Sequence, residues 1–130
     1  MTRFLLDADT VSFALRGQGR VATTLLDHRP SELGLSSITF AELRFGAEAK
    51  ASRKLRTALQ ALVEEVPVLP FDQVAADRFA VVAARLAAAG EPIGTFDTLL
   101  AAHALSLGVT VVTHNTHFRR VPGLRIEDWY

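Results

Sequence analysis

Four carboxylates of this sequence stand where strands or helices are expected to begin or end, and together they could bind a divalent cation. Asp7 and Asp9 follow the apolar run 4–6. Glu42 lies near the start of a predicted helix, and Asp97 lies in the first turn of another. Carboxylates gathered at one edge of a sheet repel each other unless a cation neutralises them. Because such cations prefer oxygen ligands, the pattern predicts a Mg²⁺ or Mn²⁺ site.

Taken singly, two of these acids also have a structural explanation. Thr39 and Glu42 match a capping box at the start of a helix. Asp97 would interact favourably with the N-terminal end of its own helix. Asp7 has no comparable structural role in the sequence, so the predicted metal site depends on its combination with the other acids.

Size and composition favour one globular, cytoplasmic domain over residues 1–130. The chain is 49% hydrophobic and 22% charged, which is enough apolar content for a buried core. It has no cysteine, which excludes disulfides, thiolate zinc sites and cysteine nucleophiles. Every longer apolar stretch is interrupted by a charge or a histidine, so no membrane span is expected.

The net charge hides a surplus of basic groups once the predicted site is set aside. The chain has 14 basic and 14 acidic residues. If the four clustered acids are neutralised by cations, 14 − 4 = 10 acids remain, which leaves four bases in excess. Arginine is well suited to phosphate oxygens. The arginines that we expect to contact phosphate are Arg16, Arg44, Arg119 and Arg120.

Short strands and helices alternate along the chain. This alternation predicts an α/β fold in three layers, α/β/α, around a central and mostly parallel sheet. Ligands of such folds bind beyond the carboxyl ends of the strands. Strands are predicted at 3–6, 33–35, 66–71 (an edge strand), 109–113 and 125–127, and helices at 11–15, 21–28, 39–49, 55–62, 73–89 and 95–107, the last with Thr95 as its cap.

Five blocks of the sequence, in the same order, resemble a known family. Together they span the whole chain, and their combination is far more specific than any one of them. The chain resembles the PIN-domain ribonuclease toxins of the VapC type. The blocks are FLLDADTVSFALRG (4–17), SSITFAELRFGA (36–47), VLPFD (68–72), PIGTFDTLLAAHAL (92–105) and THNTHFRRVPGLRIEDW (113–129).

This resemblance implies a metal-dependent endoribonuclease that is paired with a small antitoxin protein. Asp7, Glu42 and Asp97 match the three central acids of the family, with Asp7 and Asp97 holding Mg²⁺ or Mn²⁺. Glu42 would hold the ion through water or orient the attacking water. Thr113 and Asn115 would support the substrate or the ligands.

The chain departs from the family pattern at two positions. Asp9 stands where many members carry Asn or another small polar residue, and it could strengthen cation binding or face solvent. Asn115 stands where a fourth acid is common, and its amide oxygen can coordinate a metal with less charge. We therefore expect one tightly bound ion before RNA arrives.

The resemblance also implies a homodimer. The apolar face 55–62 is the surface that we expect to form it.

Two other functions fit parts of the sequence. Asp7 and Asp9 after an apolar strand also resemble the first motif of haloacid-dehalogenase-like phosphatases, with Asp7 as nucleophile and Asp9 as general acid. Alternatively, the acids could receive a basic segment of a partner in a non-catalytic interaction module. The first alternative predicts a phosphatase that Asp9→Asn abolishes, and the second predicts no metal-dependent cleavage.

Overall fold

The computed structural model describes residues 1–130, and its centre is a five-stranded sheet in the order β3-β2-β1-β4-β5. All four strand pairings are parallel. The parallel sheet confirms the predicted fold class and the edge position of the third strand. The strands are β1 (Phe4–Leu6), β2 (Leu33–Ser36), β3 (Val68–Leu69), β4 (Thr110–Val112) and β5 (Ile126–Glu127).

Six α-helices and two 3₁₀ turns connect these strands. None of the helices combines the length and the apolar character needed to cross a bilayer. The helices are α1 (Ala8–Arg16), α2 (Val21–Leu25), α3 (Ser37–Ala49), α4 (Arg53–Glu65), α5 (Gln73–Ala88) and α6 (Thr95–Leu107), and the 3₁₀ turns are Pro30–Glu32 and Thr116–Arg120.

Strand β1 is the middle of the sheet and is buried on both faces. Its residue Leu5 pairs with Gly34 of β2 on one side and Val111 of β4 on the other. A Cβ atom at Gly34 would lie 3.0 Å from the side chain of Thr2 and 3.2 Å from that of Leu69, so the chain packs closely there. A central parallel strand with both faces covered is expected to be continuously apolar, as FLL is.

Successive side chains of β1 point to opposite faces and divide the core into two parts. Leu6 belongs to a buried cluster with Leu43 of α3 and Leu59 of α4. Leu5 belongs to a second cluster, to which α5 and α6 contribute Leu86 and Leu100. The sheet therefore lies between two layers of helices, which is the predicted three-layer arrangement.

The starts of two helices differ from the prediction. Helix α3 begins at Ser37, because the hydroxyl of Ser36 accepts the backbone N–H of Ile38 at 3.1 Å and caps the helix as β2 ends. Glu42 is therefore inside the helix, and the predicted capping box with Thr39 is wrong. Helix α6 begins at Thr95 with Gly94 as its N-cap residue, so Thr95 does not cap it.

The apolar face 55–62 is not available as a dimer surface. Leu59 is 1% exposed in the core, and Leu62 packs against the same core cluster while half-buried. The predicted homodimer surface is wrong because this face of α4 packs against the chain's own sheet layer.

Candidate active site

Asp7 lies directly after β1, at the carboxyl edge of the sheet. Its Oδ1 accepts the backbone N–H of Thr10 at 2.8 Å, so that Asp7 caps helix α1. The side chain is 5% exposed. The expectation that Asp7 has no structural role is therefore wrong, since its carboxylate is also an N-cap.

Thr113 holds the other oxygen of this carboxylate. It follows β4, the neighbour of β1, and its hydroxyl donates to Asp7 Oδ2 at 2.6 Å. The same hydroxyl oxygen accepts the backbone N–H of Asn115 at 2.9 Å. Both oxygens of Asp7 thus have a donor, and the carboxylate has one fixed orientation.

Asn115 links this corner to Asp97. Its side-chain N–H donates to Asp97 Oδ2 at 3.4 Å, and its Oδ1 accepts the backbone N–H of His117 at 2.9 Å. A continuous path of hydrogen bonds therefore runs from Asp7 through Thr113 and Asn115 to Asp97. The structure brings together side chains that are 90 residues apart in the sequence.

Glu42 belongs to the same electrostatic group. Burial raises the pKa of its carboxyl, and the charges of Asp97, Asp9 and Asp7 raise it further. Since Glu42 is half-buried inside α3 and has no capping partner, neither a salt bridge nor a helix cap explains its position. Helix α3 packs against both α1 and α6, which brings Glu42 near the acids at the start of those two helices.

The pKa values of the two other central acids are also raised. For Asp7, burial is the largest cause and outweighs the hydrogen bonds from Thr10 and Thr113, while the charge of Asp9 adds to the rise. For Asp97, burial is again the largest cause, followed by the charges of Asp7 and Asp9. Asp9 itself is exposed in the first turn of α1, where its charge acts on all three acids.

These residues fit a hard divalent cation. The donor set consists of carboxylate oxygens, whose pKa values are raised by burial and by their mutual repulsion; the nearby His117 offsets the rise at Asp97 only in part. No three His, Asp or Glu side chains lie close enough together to coordinate one metal ion directly. Mg²⁺ is usually held by one or two carboxylates and several waters, so a closed group of three is not required.

A second buried contact, which was not predicted from the sequence, fixes the helix that carries Glu42. His103 of α6 is 1% exposed, and its Nδ1 lies 2.8 Å from Ser36 Oγ, the cap of α3. The neighbouring Ser37 hydroxyl accepts the backbone N–H of Phe71, beyond β3, at 3.0 Å. This network joins α3 to α6 and to the end of β3. Its signal in the sequence is a Ser pair ending a strand, and a His in an otherwise apolar helix.

The four arginines predicted to contact phosphate lie in different surroundings. Arg44 pairs with Glu48 at 2.9 Å, and Arg120 donates to the Pro92 carbonyl at 3.1 Å. Arg16 is exposed with its guanidinium over the Phe13 ring. Of the four, only Arg119 lines a small cleft, of about 100 Å³, together with Thr113 and Asn115.

Comparison with known proteins assigns this arrangement to a family. The family model of the PIN domain matches residues 4–124 of the chain. The tRNA(fMet)-specific endonucleases VapC of Salmonella typhimurium and Shigella flexneri are 36% and 35% identical to the chain, each over 99% of both sequences. The crystal structure of DNA-bound VapBC from Salmonella typhimurium contains a chain that superposes with a TM-score of 0.93 over 100% of both chains.

The chain therefore belongs to the PIN-domain family, and within it to the VapC ribonucleases. This confirms the resemblance seen in the sequence and the class of enzyme that it implied. The comparisons give no support to a haloacid-dehalogenase-like phosphatase or to a non-catalytic interaction module.

Proposed function

We propose that the chain is a metal-dependent endoribonuclease and the toxin of a toxin–antitoxin pair, with Asp7, Glu42 and Asp97 as its catalytic residues. The observation that carries the site assignment is the hydrogen-bonded path from Asp7 to Asp97. The electrostatic coupling of Glu42 to both acids adds the third member.

Asp7, Asp97 and Glu42 would hold Mg²⁺ or Mn²⁺. When bound, such an ion polarises a phosphoryl oxygen and lowers the pKa of water, which is the chemistry that phosphodiester hydrolysis needs. The thermodynamic reason for binding is that the cation relieves the repulsion among the three acids. Asp9 adds negative charge at the rim and serves as a secondary ligand or substrate contact.

The remaining residues orient the acids. Thr10 and Thr113 donate to Asp7 and keep its oxygens in place. No group of the protein donates a hydrogen bond to the carboxylate of Glu42. This carboxylate is therefore suited to orient the attacking water and to accept its proton. Asn115 was predicted to be a metal ligand. Because its oxygen accepts from His117 and its nitrogen faces Asp97, we propose that it mainly positions Asp97.

RNA is the proposed substrate, and structured RNA of the size of tRNA is the proposed substrate class. Two relatives that are 36% and 35% identical are named tRNA(fMet)-specific endonucleases. The surplus of basic groups outside the acidic cluster agrees with a polyanionic substrate. Arg16 and Arg119 remain the best placed of the predicted phosphate contacts, since both are exposed and neither is engaged in an ion pair, as Arg44 is, or in a hydrogen bond, as Arg120 is.

A small antitoxin is the proposed protein partner, and the cytoplasm is the proposed place of action. A similar chain occurs in the structure of VapBC from Salmonella typhimurium, and a 30% identical chain, with a TM-score of 0.62, in a VapBC toxin–antitoxin system of Mycobacterium tuberculosis. A homodimer remains a proposal. The exposed apolar side chains Phe45 (74%) and Phe96 (53%) are better candidates for it than the face 55–62.

The test compares RNA cleavage by matched variants. Purified wild type should cleave RNA with Mn²⁺ and not with a chelator, whereas Asp7→Asn and Asp97→Asn should not cleave. Asp77→Asn, an exposed acid on α5, is the control and should cleave like wild type. In cells, wild type should arrest growth, and co-expression of the neighbouring reading frame should restore it. Cleavage that survives Asp7→Asn would defeat the catalytic assignment.

A further inference from the structure

Basic residues are concentrated in one short segment of the chain. Residues 44–56 contain five of the 14 bases, including both lysines of the protein, and only one acid, Glu48. The segment therefore carries a formal charge of 5 − 1 = +4, although the whole chain has a net charge of zero. The other 117 residues together carry −4, so the charge distribution is strongly asymmetric.

The fold places most of this charge at the tip of the hairpin between α3 and α4. Lys50 is the C-cap residue of α3, and Arg53 and Lys54 are the first two residues of α4. All three side chains are exposed and form no salt bridge. Arg56 is also exposed, and its contact with Glu48, at 3.9 Å, is long. Arg44, by contrast, is paired with Glu48 at 2.9 Å.

The surface next to this tip is concave. A cleft of about 250 Å³ is lined by Glu48, Ser52, Arg53 and Arg56, among others. An adjoining cleft of about 360 Å³ shares Arg56 and continues along α4 past Gln60. Arg53 and Arg56 therefore border a depression on the hairpin, and Lys50 and Lys54 lie beside it without lining either cleft.

The acidic site cannot by itself attract a polyanion. Its clustered carboxylates repel phosphate until a cation is bound, so affinity for a nucleic-acid backbone has to come from basic groups outside it. Lys50 follows Glu42 by eight residues on the same helix, which is about 12 Å along the axis at ~1.5 Å per residue. That distance corresponds to roughly three to four nucleotides of a stacked strand.

We propose that Lys50, Arg53, Lys54 and Arg56 form a second RNA-binding surface, called here the basic tip, which holds the phosphate backbone of the substrate several nucleotides from the cleaved bond. This proposal rests on the proposed ribonuclease function. The basic tip supplies affinity and orientation for a long or folded RNA. It takes no part in hydrolysis at the acids.

The experiment separates binding of a large RNA from cleavage of a small one. The triple variant Lys50→Gln/Arg53→Gln/Lys54→Gln is compared with a control triple, Arg29→Gln/Arg78→Gln/Arg85→Gln, which removes the same charge from other exposed positions. Binding of a full-length tRNA transcript is measured in the Asp7→Asn background at several salt concentrations. Cleavage of a three-nucleotide RNA, which is too short to reach the basic tip from the cleaved bond, is measured with Mn²⁺ in the wild-type background.

The basic-tip triple should bind the tRNA at least about 10-fold more weakly than the control triple. Its slope of log affinity against log salt should be smaller by about two to three, since each phosphate contact contributes roughly 0.7–0.9 to that slope. It should cleave the three-nucleotide RNA at the wild-type rate. Equal affinity and equal slope for the two triples would overturn the proposal. The proposal would also be overturned if the basic-tip triple bound tRNA normally but bound the co-expressed neighbouring protein more weakly, because the surface would then serve that partner.

The two proposals can fail separately. If wild type and both triples all fail to cleave any RNA with Mn²⁺, the proposed function fails, whatever the binding curves show. If wild type cleaves and the two triples bind tRNA alike, only the basic tip fails.

Discussion

Removal of the Thr113 hydroxyl tests whether the path between Asp7 and Asp97 supports catalysis. Thr113→Val keeps nearly the same volume in a position that is 2% exposed, but it removes both hydrogen bonds of the hydroxyl. Asp7 Oδ2 loses its 2.6 Å donor, and the Asn115 N–H loses its 2.9 Å acceptor. Both groups are then left without their internal partner.

The expected cost follows from these two bonds. A hydrogen bond to a charged group contributes about 1.5–3 kcal/mol and one between neutral groups about 1 kcal/mol, so the free energy of unfolding should fall by about 3 kcal/mol. At ~2.1 cal/mol/K per residue, the unfolding entropy of 130 residues is roughly 0.27 kcal/mol/K. The Tm should therefore fall by about 10 °C. Loss of the group that orients Asp7 should reduce Mn²⁺-dependent cleavage by about 10- to 100-fold.

Both effects can be measured on the same samples. Thermal unfolding can be followed by the fluorescence of Trp129, the only tryptophan, which is 7% exposed. RNA cleavage is measured at a temperature where wild type and variant are both folded. Thr113→Ser keeps the hydroxyl and should retain most of the activity. If Thr113→Val unfolds at the wild-type temperature and cleaves at the wild-type rate, the reasoning about this path is refuted.

Three further predictions concern stability. Folding raises the pKa of Asp7 above its ordinary 3.8, so the folded protein loses stability as the pH rises from 3.8 through the pKa of the folded state. Without metal, Asp7→Asn should therefore be more stable than wild type in urea unfolding at pH 7. This difference in the free energy of unfolding should disappear below about pH 3.8. Ser36→Ala removes the cap of α3 and the partner of His103, so it should lower the free energy of unfolding by about 2 kcal/mol and weaken Mn²⁺-dependent cleavage. An unchanged free energy of unfolding together with an unchanged cleavage rate would contradict the role of this network. Gly17→Ala and Gly19→Ala each place a Cβ atom on a residue with positive φ, which should lower the free energy of unfolding by about 1–2 kcal/mol. Gly19→Ala should lower the Tm clearly more than Gly17→Ala, because its Cβ would lie 2.9 Å from Tyr130, whereas the space at Gly17 is open.

The location of the site could be predicted because parallel strands share a direction. Asp7 follows β1 and Thr113 follows β4, so both had to lie at the same carboxyl edge. Asp97 could be placed in the first turn of a helix from the pattern of apolar residues after it. The convergence of these positions on one edge was therefore accessible from the shared strand direction and the helix boundaries, although the order of the strands was not predicted.

The cap of α3 could not be predicted, since several residues competed for the role. Ser36, Ser37 and Thr39 are all able to cap a helix, and the end of β2 decides in favour of Ser36. The error had a consequence for function, because the assumed capping box gave Glu42 a structural explanation that it does not have. Asp7 showed the opposite error, since its carboxylate both caps α1 and belongs to the site.

The surface of α4 shows a second limit of sequence patterns. Apolar residues at helical spacing have the same pattern whether they pack on their own core or on another molecule. Leu59 and Leu62 face the core because α4 lies over the sheet beside α3. Only the three-dimensional arrangement distinguishes these two cases.

Calorimetric titration with Mn²⁺ shows whether Asp7 and Asp97 share a cation, and it needs neither RNA nor turnover. Wild type should bind the ion, and Asp77→Asn should bind it with the same affinity. Asp7→Asn and Asp97→Asn, both shown by circular dichroism to be folded, should each bind at least about 10-fold more weakly. Equal Mn²⁺ affinity in all four proteins would contradict a shared cation between Asp7 and Asp97.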